Sequence, residues 1–202
     1  MKVRVILNEE MLGMSPASKD IYREFIASKS PDATTMEEEV EAIGVDAVEE
    51  KGITVFPRDE DGDPFLWDYQ IKGFFKDSMQ MLIKAGKAGY EGGKHCAQLK
   101  AYKKLIDGNL FIYPRKIKIK IPEGEQMGYC SRSLRAQTMQ GERTSVAKSE
   151  TVPAGSTMEF EVVLLGSTLE KPVKECLDYG EYRGLGQWRN SGKGVFSWEE
   201  IK

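Results

Sequence analysis

Residues 184–194 read GLGQWRNSGKG, the most specific stretch of this 202-residue chain. The stretch connects a predicted helix to the last predicted strand. Four glycines in eleven residues permit positive φ and the close approach of a backbone or a phosphate. Trp188 offers a face for stacking, and neighbouring basic side chains can contact phosphates: Arg183, Arg189 and Lys193. The stretch is therefore either a nucleic-acid-binding loop or a tight turn that packs against a sheet.

The stretch matches neither of two common nucleotide-binding motifs. A dinucleotide-binding fingerprint follows a strand and opens a helix, whereas this one follows a helix and opens a strand. The chain also lacks the G-x-x-x-x-G-K-[ST] pattern of a phosphate-binding loop. No cofactor is predicted.

Charge is distributed unevenly along the chain, although the net charge is only -3. Residues 1–66 hold 16 acidic and 7 basic residues, a net charge of -9, whereas residues 67–148 hold 7 acidic and 16 basic residues, a net charge of +9. A basic middle can form a local anion-binding surface even in an acidic chain. The alternative is that folding brings the two blocks together and they neutralise each other.

Composition predicts a folded chain and excludes several classes of protein. Apolar residues make up 40% of the chain, enough for a core, and the length predicts one domain over residues 1–202. No apolar run approaches the roughly 20 residues of a membrane span, and Glu9 interrupts the N-terminal segment before a signal-peptide core could form. The three cysteines are widely spaced, which fits a reducing compartment and forms no zinc motif. We expect a cytoplasmic protein with no membrane partner.

One acidic stretch, Asp59-x-Asp61-Gly62-Asp63, resembles the start of a calcium-binding loop. Its glycine comes too early and no glutamate follows at the twelfth position, so no metal site is predicted.

Periodicity outside the glycine stretch predicts strands mixed with helices. Lys116 to Ile121 alternate lysine with isoleucine, which indicates a strand with one buried face. Other strands are predicted over 3–7, 52–56, 64–67, 110–113, 158–165 and 195–198. Helices are predicted over 69–85, 94–106 and 169–178, with a flexible glycine-rich loop over 86–93. Residues 14–52 are predicted to be an acidic helical insertion, and residues 122–152 an extended basic arm or a poorly packed hairpin. The mixture indicates an α+β fold with helices on one face of an antiparallel sheet.

The glycine stretch and two further segments resemble the RAMP superfamily, the RRM-like proteins of CRISPR effector complexes. Residues 63–76, DPFLWDYQIKGFFK, are similar to the family segment that opens the first helix. Residues 149–161, SETVPAGSTMEFE, are similar to a family strand, and residues 177–194 match the end of a helix and the glycine loop. The three segments occur in the family's order, and the closest branch is the guide-RNA backbone subunit of type III complexes.

The resemblance implies an RRM-like (ferredoxin-like) antiparallel sheet and a role in holding guide RNA. It implies RNA contact at the start of the first helix and at the glycine stretch, and the strand lysines and arm arginines could line an RNA backbone. The predicted RNA-binding residues are Lys72, Lys76, Lys116, Lys118, Lys120, Arg132, Arg135, Arg143, Arg183, Gly184, Gly186, Trp188, Arg189, Gly192, Lys193 and Gly194.

No catalytic residue is assigned, and four residues are weak candidates. In the backbone branch an aspartate after the first strand cleaves RNA, and Asp20, Asp32 and Asp46 lie in that region without a matching motif. Processing relatives use a histidine, for which His95 is the only candidate in this chain. A lone histidine at a predicted helix start is more often structural.

Three functions follow from these observations. The first is an RNA-binding subunit of a CRISPR-type ribonucleoprotein, whose partners are single-stranded or guide RNA and other copies of the chain. The second is a non-catalytic decoy from a phage or mobile element that docks on CRISPR effector subunits, which the acidic insertion suggests. The third is a metal-independent endoribonuclease that uses His95. The sequence favours them in that order.

Overall fold

The computed structural model describes residues 1–17, 53–138 and 141–201, with side chains described outside 134–146. The strands are β1 Lys2–Leu7, β2 Met11–Leu12, β3 Ser15–Pro16, β4 Ile53–Val55, β5 Phe65–Trp67, β6 Leu110–Tyr113, β7 Lys116–Lys120, β8 Gly128–Thr138, β9 Gly141–Val152, β10 Thr157–Leu164 and β11 Phe196–Ile201. The helices are α1 Asp68–Lys87, α2 Tyr102–Asn109, α3 Glu170–Asp178 and the single turn α4 Gly180–Arg183.

The larger sheet has the antiparallel order β11-β1-β10-β7-β5, and β6 also pairs with β10. The segment from β6 to β7 acts as one interrupted strand, α1 precedes it, and α3 lies between β10 and β11 in the chain. The result is a β-α-β-β-α-β unit in which the first strand lies between the third and the fourth. The predicted α+β class with an RRM-like sheet is confirmed.

The core lies between this sheet and the helices. Val3 and Val5 of β1 are fully buried and pair with Phe160 and Met158 of β10. From the helix side, α1 contributes a buried stripe at helical spacing: Ile71, Phe74, Phe75, Met79 and Leu82. Removing this apolar surface from water stabilises the sandwich by roughly 25 cal/mol per Å². The opposite surface of the sheet, which we call the open face, carries Lys2, Arg4, Glu159, Glu161 and Glu199.

A second sheet holds the basic arm, which is a regular hairpin. The order is β2-β9-β4-β3, and β8 pairs with β9 from Gly128↔Thr151 to Thr138↔Gly141. At the hairpin base the buried Glu150 carboxylate accepts a hydrogen bond from the Phe56 backbone N–H at 2.9 Å and pairs with Arg58. Of the two forms predicted for residues 122–152, an extended arm or a poorly packed hairpin, β8 and β9 form a paired hairpin, and the assignment of 122–152 as a basic arm stays a prediction.

Two local predictions differ from the structure. The helix predicted over 94–106 is wrong: a 3-10 turn, Cys96–Gln98, precedes α2, and Ala101 with φ 50° separates the two. The loop predicted over 86–93 is shorter, because α1 continues to Lys87 and a 3-10 turn forms at Glu91–Gly93. The strands predicted over 52–56 and 64–67 correspond to β4 and β5. They belong to different sheets, and an Arg58↔Pro64 bridge joins the chain on the two sides of the Asp61-Gly62 turn.

Most of the predicted acidic insertion, 14–52, lies outside the described residues, apart from 14–17, which include β3. The single-domain prediction stays a prediction. No described helix is long and apolar enough to cross a membrane.

Candidate nucleic-acid interface

The glycine loop, residues 184–194, is fixed by its own backbone. Leu185 N–H donates to the Gly194 carbonyl at 2.8 Å, and Gly194 N–H donates to the Glu10 carbonyl at 2.8 Å. Gly194 has φ 72°, and a Cβ there would collide with the Leu185 carbonyl. Gly186 has φ 80° and lies against the Leu12 backbone. Glycine is required at positions 186 and 194, because both residues have a positive φ and both lie too close to a neighbouring backbone to leave room for a Cβ atom.

Arg183, the last residue of α4, and Arg189 of the glycine loop converge on the carboxylate of Asp77 in helix α1, and we call these three residues the arginine clamp. Arg183 Nε and Arg189 Nη1 donate to Asp77 Oδ2 at 2.9 and 2.8 Å. Burial alone would raise the pKa of Asp77, but the hydrogen bonds and charges of both guanidinium groups outweigh it and hold this pKa below its usual value. The clamp ties the loop to α1.

Lys193 is also paired within the chain. Its ammonium lies 2.8 Å from Glu10 Oε1 and 3.4 Å from Glu9 Oε2. The hydrogen bond to Glu10 is the main cause that raises the pKa of Lys193. Three of the predicted phosphate-binding cations therefore hold the loop in place in this structure.

Arg132, from strand β8 of the hairpin, reaches the loop. Its Nη2 donates to Gln187 Oε1 at 2.7 Å, and its guanidinium carbon lies 5.4 Å from the centroid of the Trp188 ring. Arg132 Nε and Nη1 are both buried and have no hydrogen-bond partner among the described residues. Trp188 has φ 54° and remains 40% exposed.

These side chains surround a cavity of about 470 Å³, which we call the loop pocket. Its lining combines the hairpin base, the clamp and the loop: Arg132, Arg183, Gly186, Gln187, Trp188, Arg189 and Asn190. The structure thus brings together the arm and the glycine stretch, which the sequence analysis predicted separately. Gln187 and Asp77 were missed, because a lone glutamine or aspartate carries no signal of its partner.

The strand lysines lie on β7 and contact other elements. Lys116 Nζ lies 5.9 Å from the ring centroids of both Phe65 and Trp67. Lys118 lies 2.6 Å from Asp59 Oδ2 and 2.9 Å from Asp61 Oδ2, and the hydrogen bond to Asp59 is the main cause that raises its pKa. Its ammonium thus offsets part of the negative charge of the acidic stretch Asp59–Asp63.

Lys120 is the most open of the three, with Glu159 Oε1 at 3.9 Å. The predicted outward lysine face exists, but Lys116 is only partly exposed and Lys118 is paired.

At helix α1, Lys72 and Lys76 engage their own fold. Lys72 Nζ lies 5.2 Å from the centroid of the Phe111 ring and donates to the Asp107 carbonyl at 3.2 Å. Burial is the main cause that lowers the pKa of Lys72. Lys76 Nζ lies 2.5 Å from Asp107 Oδ1. Their predicted RNA contacts stay predictions.

Arg135 and Arg143 lie in the paired strands β8 and β9, opposite Thr144 and Ala136. Their side chains are outside the described part of the chain, and so are the weak catalytic candidates Asp20, Asp32 and Asp46.

His95 lies before the 3-10 turn and contacts a buried glutamate that the sequence analysis missed. His95 Nδ1 lies 2.7 Å from Glu175 Oε1, and Glu175 also accepts hydrogen bonds from the backbone N–H groups of His95 and Cys96 at 2.9 and 2.8 Å. Burial alone would raise the pKa of Glu175, but these backbone hydrogen bonds outweigh it and lower the pKa. Glu175 thus anchors the turn to α3, and the catalytic role of His95 stays a prediction.

No protein-family model and no curated protein matches the chain. Among solved structures, the whole chain matches 59% of a chain in the cryo-EM structure of the type III-B Cmr-beta bound to cognate target RNA, with 14% sequence identity and a TM-score of 0.54. A second match, to a chain of a type IV-B CRISPR complex, covers 98% of this chain and 88% of that one, with 12% identity and a TM-score of 0.46. The first match agrees with the β-α-β-β-α-β topology, and the chain therefore shares the fold of that Cmr-beta chain.

Proposed function

We propose that this chain is an RNA-binding subunit of a CRISPR-type ribonucleoprotein and that it holds single-stranded RNA in the loop pocket. The observation that carries the proposal is Arg132: two of its N–H-bearing nitrogens are buried beside the pocket and have no partner in the part of the chain that the structure describes. A buried donor that has lost water and gained no acceptor costs about 1–3 kcal/mol. An RNA phosphate or base oxygen in the pocket would supply that acceptor.

Trp188 gives the pocket its second means of binding. Its ring is partly exposed beside Arg132, so an unpaired base has an aromatic surface to stack on. Stacking of a base on an aromatic side chain contributes about 1–3 kcal/mol and tolerates any base. Only a single strand offers such a base without prior unpairing, which favours single-stranded over duplex RNA.

The arginine clamp has a positioning role in this proposal. Arg183 and Arg189 each keep N–H groups that Asp77 does not occupy, and both side chains line the pocket. One carboxylate shared by two guanidinium groups leaves a local positive charge. The clamp therefore fixes the loop in the bound shape and still attracts phosphate.

The fold supports the same function. The Cmr-beta structure is bound to cognate target RNA, and the chain shares the fold of one of its chains. The +9 charge of residues 67–148 includes Arg132 and the other basic residues of the hairpin. An assembly of CRISPR effector subunits, with other copies of this chain, is the setting that fits these features.

The test is RNA affinity, measured by fluorescence anisotropy with a labelled single-stranded RNA of about 20 nucleotides. Arg132→Gln and Trp188→Asn are each expected to weaken binding about tenfold, since asparagine tolerates the positive φ at position 188. Arg132→Gln should also reduce the slope of log affinity against log salt by about 1. Lys171→Gln, at an exposed position on α3, is the matched control.

Affinities within twofold of the parent chain for both variants would refute the loop pocket as the RNA site. Equal affinity for single-stranded and duplex RNA would refute the stacking role of Trp188.

A further inference from the structure

A second cavity, of about 440 Å³, lies on the open face of the larger sheet, away from the loop pocket. Its lining includes Lys2, Tyr113, Pro114, Glu159, Glu161 and Ile201. No residue is shared with the lining of the loop pocket. We call this cavity the sheet pocket.

The two carboxylates of the sheet pocket differ in their partners. Glu159 Oε1 accepts a hydrogen bond from Arg4 Nε at 2.9 Å, and Arg4 also binds Glu199 at 2.7 Å. The Glu161 carboxylate is exposed and makes no ion pair or side-chain hydrogen bond with any described residue, although Glu161 is the register partner of both Lys2 and Tyr113 in the sheet. A carboxylate is thus free to bind a cation at the wall of the pocket.

The neighbouring wall is aromatic and apolar. The Tyr113 side chain is 54% exposed, and Pro114 and Ile201 lie around the same cavity. Glu159 is already paired with Arg4, whereas the unpaired carboxylate of Glu161 repels an RNA phosphate here. A planar cation satisfies both walls, because a guanidinium group stacks on an aromatic ring and binds a carboxylate through two parallel hydrogen bonds.

We propose that the sheet pocket is a protein-docking site that receives an arginine side chain of a partner protein, stacked on Tyr113 and paired with Glu161. Arginine is favoured over lysine because an ammonium is more strongly hydrated and does not stack as a plane. An arginine within a polypeptide is favoured over the free amino acid, because the α-carboxylate of free arginine would lie near Glu159 and Glu161.

The test is an NMR titration of the full chain with the capped tripeptide acetyl-Gly-Arg-Gly-amide in the absence of RNA, so that the result does not depend on RNA binding. Saturable shifts are expected at the amides of Tyr113, Glu161 and Ile201. The matched peptide with citrulline, which is neutral but similar in shape, should bind at least about fivefold more weakly, and so should the lysine peptide.

Variants of the chain separate the two contacts. Glu161→Gln should weaken arginine-peptide binding about fivefold, and Tyr113→Leu should remove the preference for arginine over lysine. Glu125→Gln, an exposed glutamate in the loop before β8, is the control and should change affinity less than twofold. Absence of saturable shifts, shifts located elsewhere, or equal binding of the arginine and citrulline peptides would overturn the proposal.

Discussion

Asp77→Asn is expected to destabilise the chain by about 1.5 kcal/mol at neutral pH, because it weakens the arginine clamp. The three clamp side chains are each about a quarter exposed, at 26%, 25% and 27% for Asp77, Arg183 and Arg189. Fully exposed ion pairs contribute about 0.2–1 kcal/mol each, and hydrogen bonds to charged groups about 1.5–3. Two partly exposed contacts therefore contribute about 2 kcal/mol, of which the asparagine oxygen retains a part.

The assay is urea unfolding of the parent chain and the variant at several pH values. With a denaturant slope of about 2 kcal/mol per M, the midpoint should fall by about 0.7 M at pH 7. The folded-state pKa of Asp77 is lowered, so its contribution is fully present above the unfolded value, 3.8, and is lost as the pH falls through the folded-state pKa. The difference between the two proteins should therefore shrink below about pH 4.

The matched control is Glu199→Gln, which removes one of the two carboxylates around Arg4. Its side chain is 50% exposed, so the expected loss is at most about 0.5 kcal/mol. A loss below about 0.5 kcal/mol for Asp77→Asn at pH 7, or a difference that does not change between pH 7 and pH 3, would refute the reasoning about the clamp.

Three further predictions concern other parts of the fold; the first two are tested by the same unfolding measurement and the third by hydrogen exchange. Gly194→Ala should cost about 3 kcal/mol, because its Cβ meets the Leu185 carbonyl, whereas Gly192→Ala, with φ 78° and open space, should cost about 1; equal losses would contradict the steric argument. Glu150→Gln should cost about 3 kcal/mol, since the buried carboxylate pairs with a guanidinium and a backbone N–H; a loss under about 1 would place that pair outside the stabilising contacts. Glu175→Gln should speed amide hydrogen exchange at Cys96 more than at residues of β10, and unchanged exchange at Cys96 would show that the carboxylate does not anchor the turn.

The sequence predicted those parts of the fold that local pattern determines. Alternating lysine and isoleucine predicted β7. In the structure Ile117 and Ile119 are buried, and the neighbouring lysines lie on the opposite side of the strand. Helical spacing of Ile71, Phe74 and Phe75 predicted α1. Both patterns depend only on the spacing of apolar residues along the chain, so they can be recognised without knowledge of distant contacts.

The remaining features depend on partners distant in sequence. Periodicity predicted one helix over 94–106, but Glu175, some 80 residues later, binds the N–H groups of His95 and Cys96 and holds a turn there. The pairing of Arg189 with Asp77 joins residues 112 positions apart. Composition predicted that basic residues would form the site. Which of their side chains pair with carboxylates of the same chain depends on the fold.

The position of β1 in the larger sheet has a consequence for how the chain is made. Its neighbours on either side are β10 and β11, so Lys2 pairs with both Glu161 and Ile201. β1 is synthesised before all the helices and strands that separate it from β10 and β11, so it must wait for both partners until β11 has been synthesised. Contacts between residues this far apart in sequence slow folding. Until β10 and β11 have been synthesised, the apolar side of β1 stays exposed unless α1 or a chaperone binds it.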